Sequence, residues 1–376
     1  MAGNANGQHD ASEHNRGPVV NYFTITMEIG VLKTFVDYKV FDAIPDEGDV
    51  SLSELAEKVG AQQELLERFA QYLVAAGFLE SPAAGRVAHT IRSRAYKSEE
   101  FPGKAMAYVF DMIFRPTAQL PKYFAQHGLA SPKTVNVTPF GLATGHPELN
   151  LYEILEAEPD LGRAFDSLFG SMGTIFSMKG VHNFSWMQDQ PGALEGTRPL
   201  FVDIGGNNCV ALRDVLRDNA FLPADRCTIF DLPRAIKAAG ESQSQLAAED
   251  GGEHLSSVQL VAGSVFEPLP SPVRGALVYQ FRRILNDFAD ADVALAWRSV
   301  REASAPDTRV FVIEKLLEHG ERSEYAAAQD LFMMLVGGKR RSAAMHAELA
   351  AAAGFRLHKQ FEDSFNDFGV LEFHVV

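Results

Sequence analysis

Phe201-Val202-Asp203-Ile204-Gly205-Gly206 is an apolar run that ends in an acid and two glycines. Such a run reads as a buried strand entering a tight turn beneath a helix, where a missing Cβ lets a backbone approach a nucleotide-type ligand. Further glycines usually complete that turn. Here Asn207, Asn208 and Cys209 stand in their place. Other polar residues fall just beyond strand-like runs: Asp231, Ser264, Asn286 and Glu314. In a parallel sheet with helices on both faces, ligands bind beyond the carboxyl ends of the strands, so these residues belong to one candidate site. An asparagine amide donates and accepts hydrogen bonds but takes no proton at neutral pH.

The elements that must position these residues are legible as alternating patterns. Strands are expected at 200–204, 227–230, 258–262, 275–279 and 309–313, with two short ones after Phe355. Helices are expected at 210–217, from Arg234, at 291–303 and at 343–352. Strand–helix alternation of this kind predicts an α/β, Rossmann-like, mostly parallel sheet. Further upstream, Ser51 or Ser53 can cap a helix, with Glu54 three residues after Ser51, ahead of Leu52, Leu55 and Val59 at helical spacing, and a second helical run covers 63–76. Helix, turn, helix and hairpin make a winged-helix pattern. The second helix carries acids and glutamines and one arginine, Arg68, so a dimerisation module is expected rather than a DNA reader. The division is then a disordered tail at 1–17, a helical winged-helix-like dimerisation and substrate-lid domain at 18–183, and the Rossmann-like domain at 184–376.

Composition narrows the partners. A formal charge of −15 argues against nucleic acid and anionic membrane surfaces. Cys209 and Cys227 give neither a disulfide framework nor metal-ligand spacing, and no metal site is expected. The first residues are polar and no uninterrupted apolar stretch reaches membrane-spanning length, so a cytoplasmic protein is expected.

From the winged-helix stretch to Gly337-Gly338-Lys339-Arg340-Arg341, the ordered motifs resemble the caffeic-acid-type small-molecule O-methyltransferases of plants and fungi. They include Phe230-Asp231-Leu232-Pro233, Ala262-Gly263-Ser264-Val265-Phe266, Arg283-Ile284-Leu285-Asn286-Asp287-Phe288 and Val312-Ile313-Glu314. The resemblance implies a homodimer, an S-adenosylmethionine seat around Asp203, Gly205, Gly206, Asp231 and Ser264, and an acceptor pocket. Phe165, Phe169, Met172, Phe176, Phe332 and Met333 match its lining segments, and His182 lies near them. It also implies a catalytic His where this chain has Asn286, Gly-Asp where it has Gly263-Ser264, and a supporting glutamate where it has Arg340. Asp231 retains the ribose-binding acid and Glu314 the first supporting glutamate.

Three readings follow. The preferred one is a methyltransferase-like pericyclase of fungal secondary metabolism, performing a Diels–Alder or hetero-Diels–Alder type cyclisation of a hydrophobic polyketide or terpenoid without methyl transfer. Asn286, Arg340 and Arg282 would donate to a substrate carbonyl, with Asp287 and Glu314 orienting them. No cofactor is required in that reading, and weak or absent S-adenosylmethionine binding is expected. The alternatives are an S-adenosylmethionine-dependent O-methyltransferase of a phenolic compound and an inactive dimer partner.

Overall fold

The structure is a computed structural model; residues 17–171, 180–192, 194–249, 253–317, 323–362 and 368–376 are described. The chain forms two compact units. One contains residues to 114 together with 160–168, the other 115–159 together with 169–376. The boundary thus differs from the expected division at 183/184. Val135 is buried in the core of the second unit and Tyr152 packs against it, which draws the 115–159 segment there.

The first unit contains helix α1 (Pro18–Asp37), helix α2 (Leu52–Val59) and helix α3 (Gln63–Ala75). Its small sheet has the order β1-β3-β2, from β1 (Val50–Ser51), β2 (Leu79–Glu80) and β3 (Arg86–His89), both pairings antiparallel. Of the two candidate caps, Ser51 takes the position: Ser51 Oγ accepts the Glu54 N–H at 3.2 Å, and Glu54 Oε2 accepts the Ser51 N–H at 3.1 Å. Leu55, Leu66 and Leu73 then face inward against Phe35, Phe41 and Phe78. Tyr72 fastens α3 to α1 by donating to the Thr24 carbonyl at 2.7 Å.

Helix α1 departs from expectation. By length and composition it is apolar enough to cross a membrane, although Glu28 and Lys33 interrupt its run. Leu32 and Phe35 near its C-terminal end are buried in the unit's core, whereas Val19, Tyr22, Phe23 and Ile25 are exposed.

The second unit is built on a seven-stranded sheet of order β6-β5-β4-β7-β8-β10-β9. Its strands are β4 (Phe201–Ile204), β5 (Cys227–Asp231), β6 (Gln259–Ala262), β7 (Val278–Arg282), β8 (Arg309–Glu314), β9 (Phe355–Glu362) and β10 (Gly369–Val375). The first five are parallel; β10 runs antiparallel to both β8 and β9. Central strands buried on both faces read as continuous apolar runs. Alternate residues divide between two cores: Phe201, Ile229, Phe311 and Ile313 on one face, Val202, Phe230, Val310 and Val312 on the other.

One expected strand is displaced. The run expected at 275–279 is in fact β7 at 278–282, because Gly275 turns at φ +71° and the pairing continues through Gln280. Gln280 is tolerated in the core because its amide donates to Asp203 Oδ1 at 2.9 Å. The relevant helices of this unit are α4 (Leu151–Ala157), α5 (Val210–Asp218), α6 (Asp290–Ala303), α7 (Glu324–Leu335) and α8 (Ala343–Ala352). The strand order reverses between β4 and β7, which puts the topological switch point at the carboxyl ends of those two strands.

Replacing Ser51 by Ala removes the α2 cap, and urea unfolding is expected to show a loss of about 1 kcal/mol. An unchanged midpoint would mean the capping box contributes nothing to the first unit.

Candidate functional site

The turn after β4 takes left-handed backbone at residues other than glycine. Gly205 has φ +73°, and the non-glycine residues Asn207 and Cys209 take φ of 40° and 64°. These left-handed conformations are normally supplied by glycine, and asparagine tolerates them best among other residues. Asp231 Oδ2 braces the turn by accepting the Asn207 N–H at 3.0 Å, while its Oδ1 accepts the Leu232 N–H at 2.7 Å. A Cβ on Gly205 would lie 2.3 Å from Ile284 Cδ1, so the loops leaving β4 and β7 meet there.

Asp203 lies directly below that turn. It is buried, Gln280 holds its Oδ1, and its Oδ2 has no hydrogen-bond partner. Burial pushes its carboxyl up to about 6. A buried carboxylate oxygen left unpaired is costly unless a ligand completes it. Ser264 has a local task, because its Oγ accepts the Phe266 N–H at 3.2 Å.

The loop after β7 is organised by Glu314, at the carboxyl end of β8. Glu314 Oε1 accepts the N–H groups of Ile284 (2.9 Å), Leu285 (2.8 Å) and Asn286 (3.4 Å). Its Oε2 accepts Asn286 Nδ2 at 3.0 Å, and that same amide nitrogen also donates to the Lys315 carbonyl at 3.3 Å. Asn286 is therefore fixed nitrogen-end inward, and its buried Oδ1 has no partner. The sequence expectation had Asn286 donating to a substrate carbonyl. Its donors are committed to the protein, so Asn286 offers an acceptor instead.

Arg340 requires the same correction. Its Nε, Nη1 and Nη2 donate to the carbonyls of Lys315 (3.3 Å), Ala326 (3.1 Å) and Leu316 (2.9 Å). The guanidinium thus fastens the segment after β8 to α7. Arg341, fully buried, clamps the Asn286 loop: it donates to the Leu285 carbonyl at 2.7 Å, the Phe288 carbonyl at 2.8 Å and Asp290 Oδ1 at 2.9 Å. Gly338 lets this strap approach, since a Cβ there would stand 2.2 Å from the Asn286 carbonyl oxygen.

Asp287 is held by a residue that motif reading missed. Tyr152, on α4, donates to Asp287 Oδ2 at 2.9 Å. Burial pushes the Asp287 carboxyl up to about 6, and the Tyr152 bond works against that rise. Burial raises the Tyr152 phenol well above its ordinary value, aided by the Asp287 charge. Burial together with repulsion from Asp287 brings Glu314 up to about 7.

Arg282 leaves β7 at the switch point. Among the described residues its guanidinium makes no hydrogen bond or ion pair, although Asp203, Asp214 and Glu314 lie within electrostatic reach. Burial and the neighbouring Arg283 bring its pKa down to about 10, still charged at neutral pH.

The expected pocket lining is only partly placed. Phe332 and Met333 are half-buried on α7, and Phe165 is half-buried in the first unit. Phe169 lies on the helix Pro159–Ser171 with its side chain outside the description, and Met172 and Phe176 fall outside the described residues. His182 is a packed aromatic rather than a substrate contact: its ring lies 4.7–4.8 Å from Phe184, Phe311 and Phe361. Burial lowers its pKa to about 4, so it stays neutral.

Glu314 gives a pH prediction. Its folded pKa lies above its unfolded value, so its contribution to stability is full below about 4.5 and is lost as pH rises through about 7. Glu314→Gln has no such titration. Relative to the parent, this variant is expected to gain stability between pH 5 and pH 8. A stability gap that stays constant across that range in urea titrations contradicts an ionising Glu314.

Comparison with known proteins agrees with this architecture. The sequence matches the O-methyltransferase domain over residues 134–356 and the O-methyltransferase dimerisation domain over residues 20–99. It is 40% identical over 350 residues to methyltransferase phm5 of Pyrenochaetopsis sp, covering 92% of each chain. Among solved structures, OxaC in complex with SAH and oxaline superposes with a TM-score of 0.81 at 21% identity, covering 95% of this chain and 87% of that one. A structure described as a pericyclic reaction enzyme superposes at 0.75 with 19% identity, covering 97% and 91%. At those identities the two structures speak for the fold alone. The sheet topology, the winged-helix unit and both domain matches together make this chain a member of the O-methyltransferase family, with an S-adenosylmethionine-dependent methyltransferase fold and an N-terminal dimerisation domain.

Proposed function

We propose that this enzyme transfers a methyl group from S-adenosylmethionine to an acidic small molecule that enters the site already ionised. The observation that carries this reading is the orientation of Asn286: its amide nitrogen is locked onto Glu314 and its Oδ1 is left as a buried acceptor. No proton can be taken there, so the acceptor atom must be nucleophilic without help from position 286. Arg282 supplies a half-buried positive charge suited to an anion. Asn286 Oδ1 would accept a hydroxyl or N–H on the same substrate and set its orientation.

The residues present fit the cofactor. The turn at 205–209 keeps the left-handed backbone that close approach requires, and Asp203 Oδ2 is a buried oxygen awaiting a donor. Asp231 at the end of β5 would accept the ribose hydroxyls with its remaining lone pairs. S-adenosylmethionine supplies an electrophilic sulfonium methyl when bound. The chain's own work is to hold the acceptor, match its charge and exclude water. The relatives named as methyltransferases support this reading over a cyclase, and so does the commitment of Asn286 and Arg340 donors to the protein itself.

A homodimer formed through the first unit accompanies this proposal. The dimerisation-domain match covers α1 from residue 20 onward, where Tyr22, Phe23 and Ile25 are exposed.

Calorimetry with S-adenosylhomocysteine is expected to show saturable binding near micromolar strength, weakened at least about tenfold in Asp231→Ala. With methyl-labelled donor, the natural acceptor should gain the label, and Asn286→Ala should slow transfer by about 1–3 kcal/mol at the barrier. No cofactor binding, together with conversion of the substrate to an isomer of unchanged mass, would replace methyl transfer with the cyclase reading.

A further inference from the structure

We propose that His358, Glu372 and His374 form a binding site for a zinc-class divalent transition metal on the antiparallel edge of the sheet. The three side chains come from β9 and β10, and one ligand atom from each lies within 4.8 Å of the others. Glu372 and His374 share a face of β10 by simple alternation. His358 reaches that face through an irregularity. Glu372 pairs with Lys359 and Phe373 with Leu357, so His358 is the extra residue of a β-bulge. Bulges re-aim side chains in this way. The result is a parallel stack of the His358 and His374 rings, 4.2 Å between centroids and 13° between planes.

The donor set suits such an ion. Two imidazoles and one carboxylate are ligands that zinc shares with other first-row dications, and they leave further positions for water. Glu372 is buried and already held: its Oε1 accepts Arg309 Nη1 at 2.8 Å and lies 2.7 Å from His374 Nε2. Arg309 is anchored in turn, with its guanidinium 3.4 Å from the centre of the Trp186 ring. The ligand oxygen is therefore pre-positioned by a second layer of contacts. Lys359, the nearby cation on β9, is turned over the Phe361 ring at 4.5 Å. Closing the cluster on an ion requires ligand atoms about 3.3 Å apart for bonds of about 2.0–2.2 Å. Rotation of the exposed His358 ring can supply that movement.

The cluster lies apart from the methyl-transfer site. Arg309 begins β8 and Glu314 ends it, a separation of about 16 Å along the strand. An ion there would clamp β9 to β10 rather than take part in chemistry.

The test uses the full chain without added tag histidines. Equilibrium dialysis against Zn²⁺ is expected to show one saturable equivalent, and Co²⁺ in its place should give visible absorption bands. His358→Ala, an exposed change that spares the fold, should weaken uptake at least about tenfold and abolish the Co²⁺ bands, with S-adenosylhomocysteine affinity unchanged. Glu372→Gln should do the same to uptake. Absence of saturable uptake, or uptake equal in the parent and His358→Ala, overturns the assignment.

Discussion

The Glu314 carboxylate is the constraint on which the site depends. It is buried at the end of a central strand, and one oxygen gathers three successive backbone N–H groups of the loop leaving β7. Left unpaired, each of those donors would be costly in so dry a place. Satisfied by one carboxyl oxygen, they fix the loop and so fix the direction of the Asn286 amide. Arg341 closes the same loop from the other side through the Leu285 and Phe288 carbonyls. A residue that a sequence presents as a catalytic replacement is thus first a structural member, and its chemistry follows from which end remains unpaired.

That ordering explains where sequence reading succeeded and where it failed. Strands β4, β5 and β8 were legible because strands buried on both faces leave apolar runs. The end of β7 was misplaced because Gln280 looks like a boundary until its partner Asp203 is known. The capping box at Ser51 was legible because it is local. Tyr152 was not, because 135 residues separate it from Asp287 and no motif joins them. Arg340 looked like a substrate donor because residue type was visible and the waiting carbonyls of Lys315, Leu316 and Ala326 were not. The bulge that brings His358 beside His374 was hidden because register, rather than composition, creates it.

The switch-point turn shows how left-handed backbone can form without glycine. Asn207 and Cys209 adopt the backbone that glycine normally provides, at a conformational cost that the brace from Asp231 helps offset. The shape of the cofactor seat is therefore a property of the backbone and its supports. The sequence expectation of a degenerate seat rested on residue identity alone. In the function we propose, the turn still seats the cofactor while position 286 offers no base, and such a site would select substrates by their own acidity.

The most direct test follows labelled methyl transfer in single turnovers across pH, using two acceptors of different acidity. If the enzyme supplies no base, the midpoint of the rate profile moves with the acidity of the acceptor. A midpoint that stays fixed for both acceptors would reveal a proton-accepting group on the protein and contradict the account.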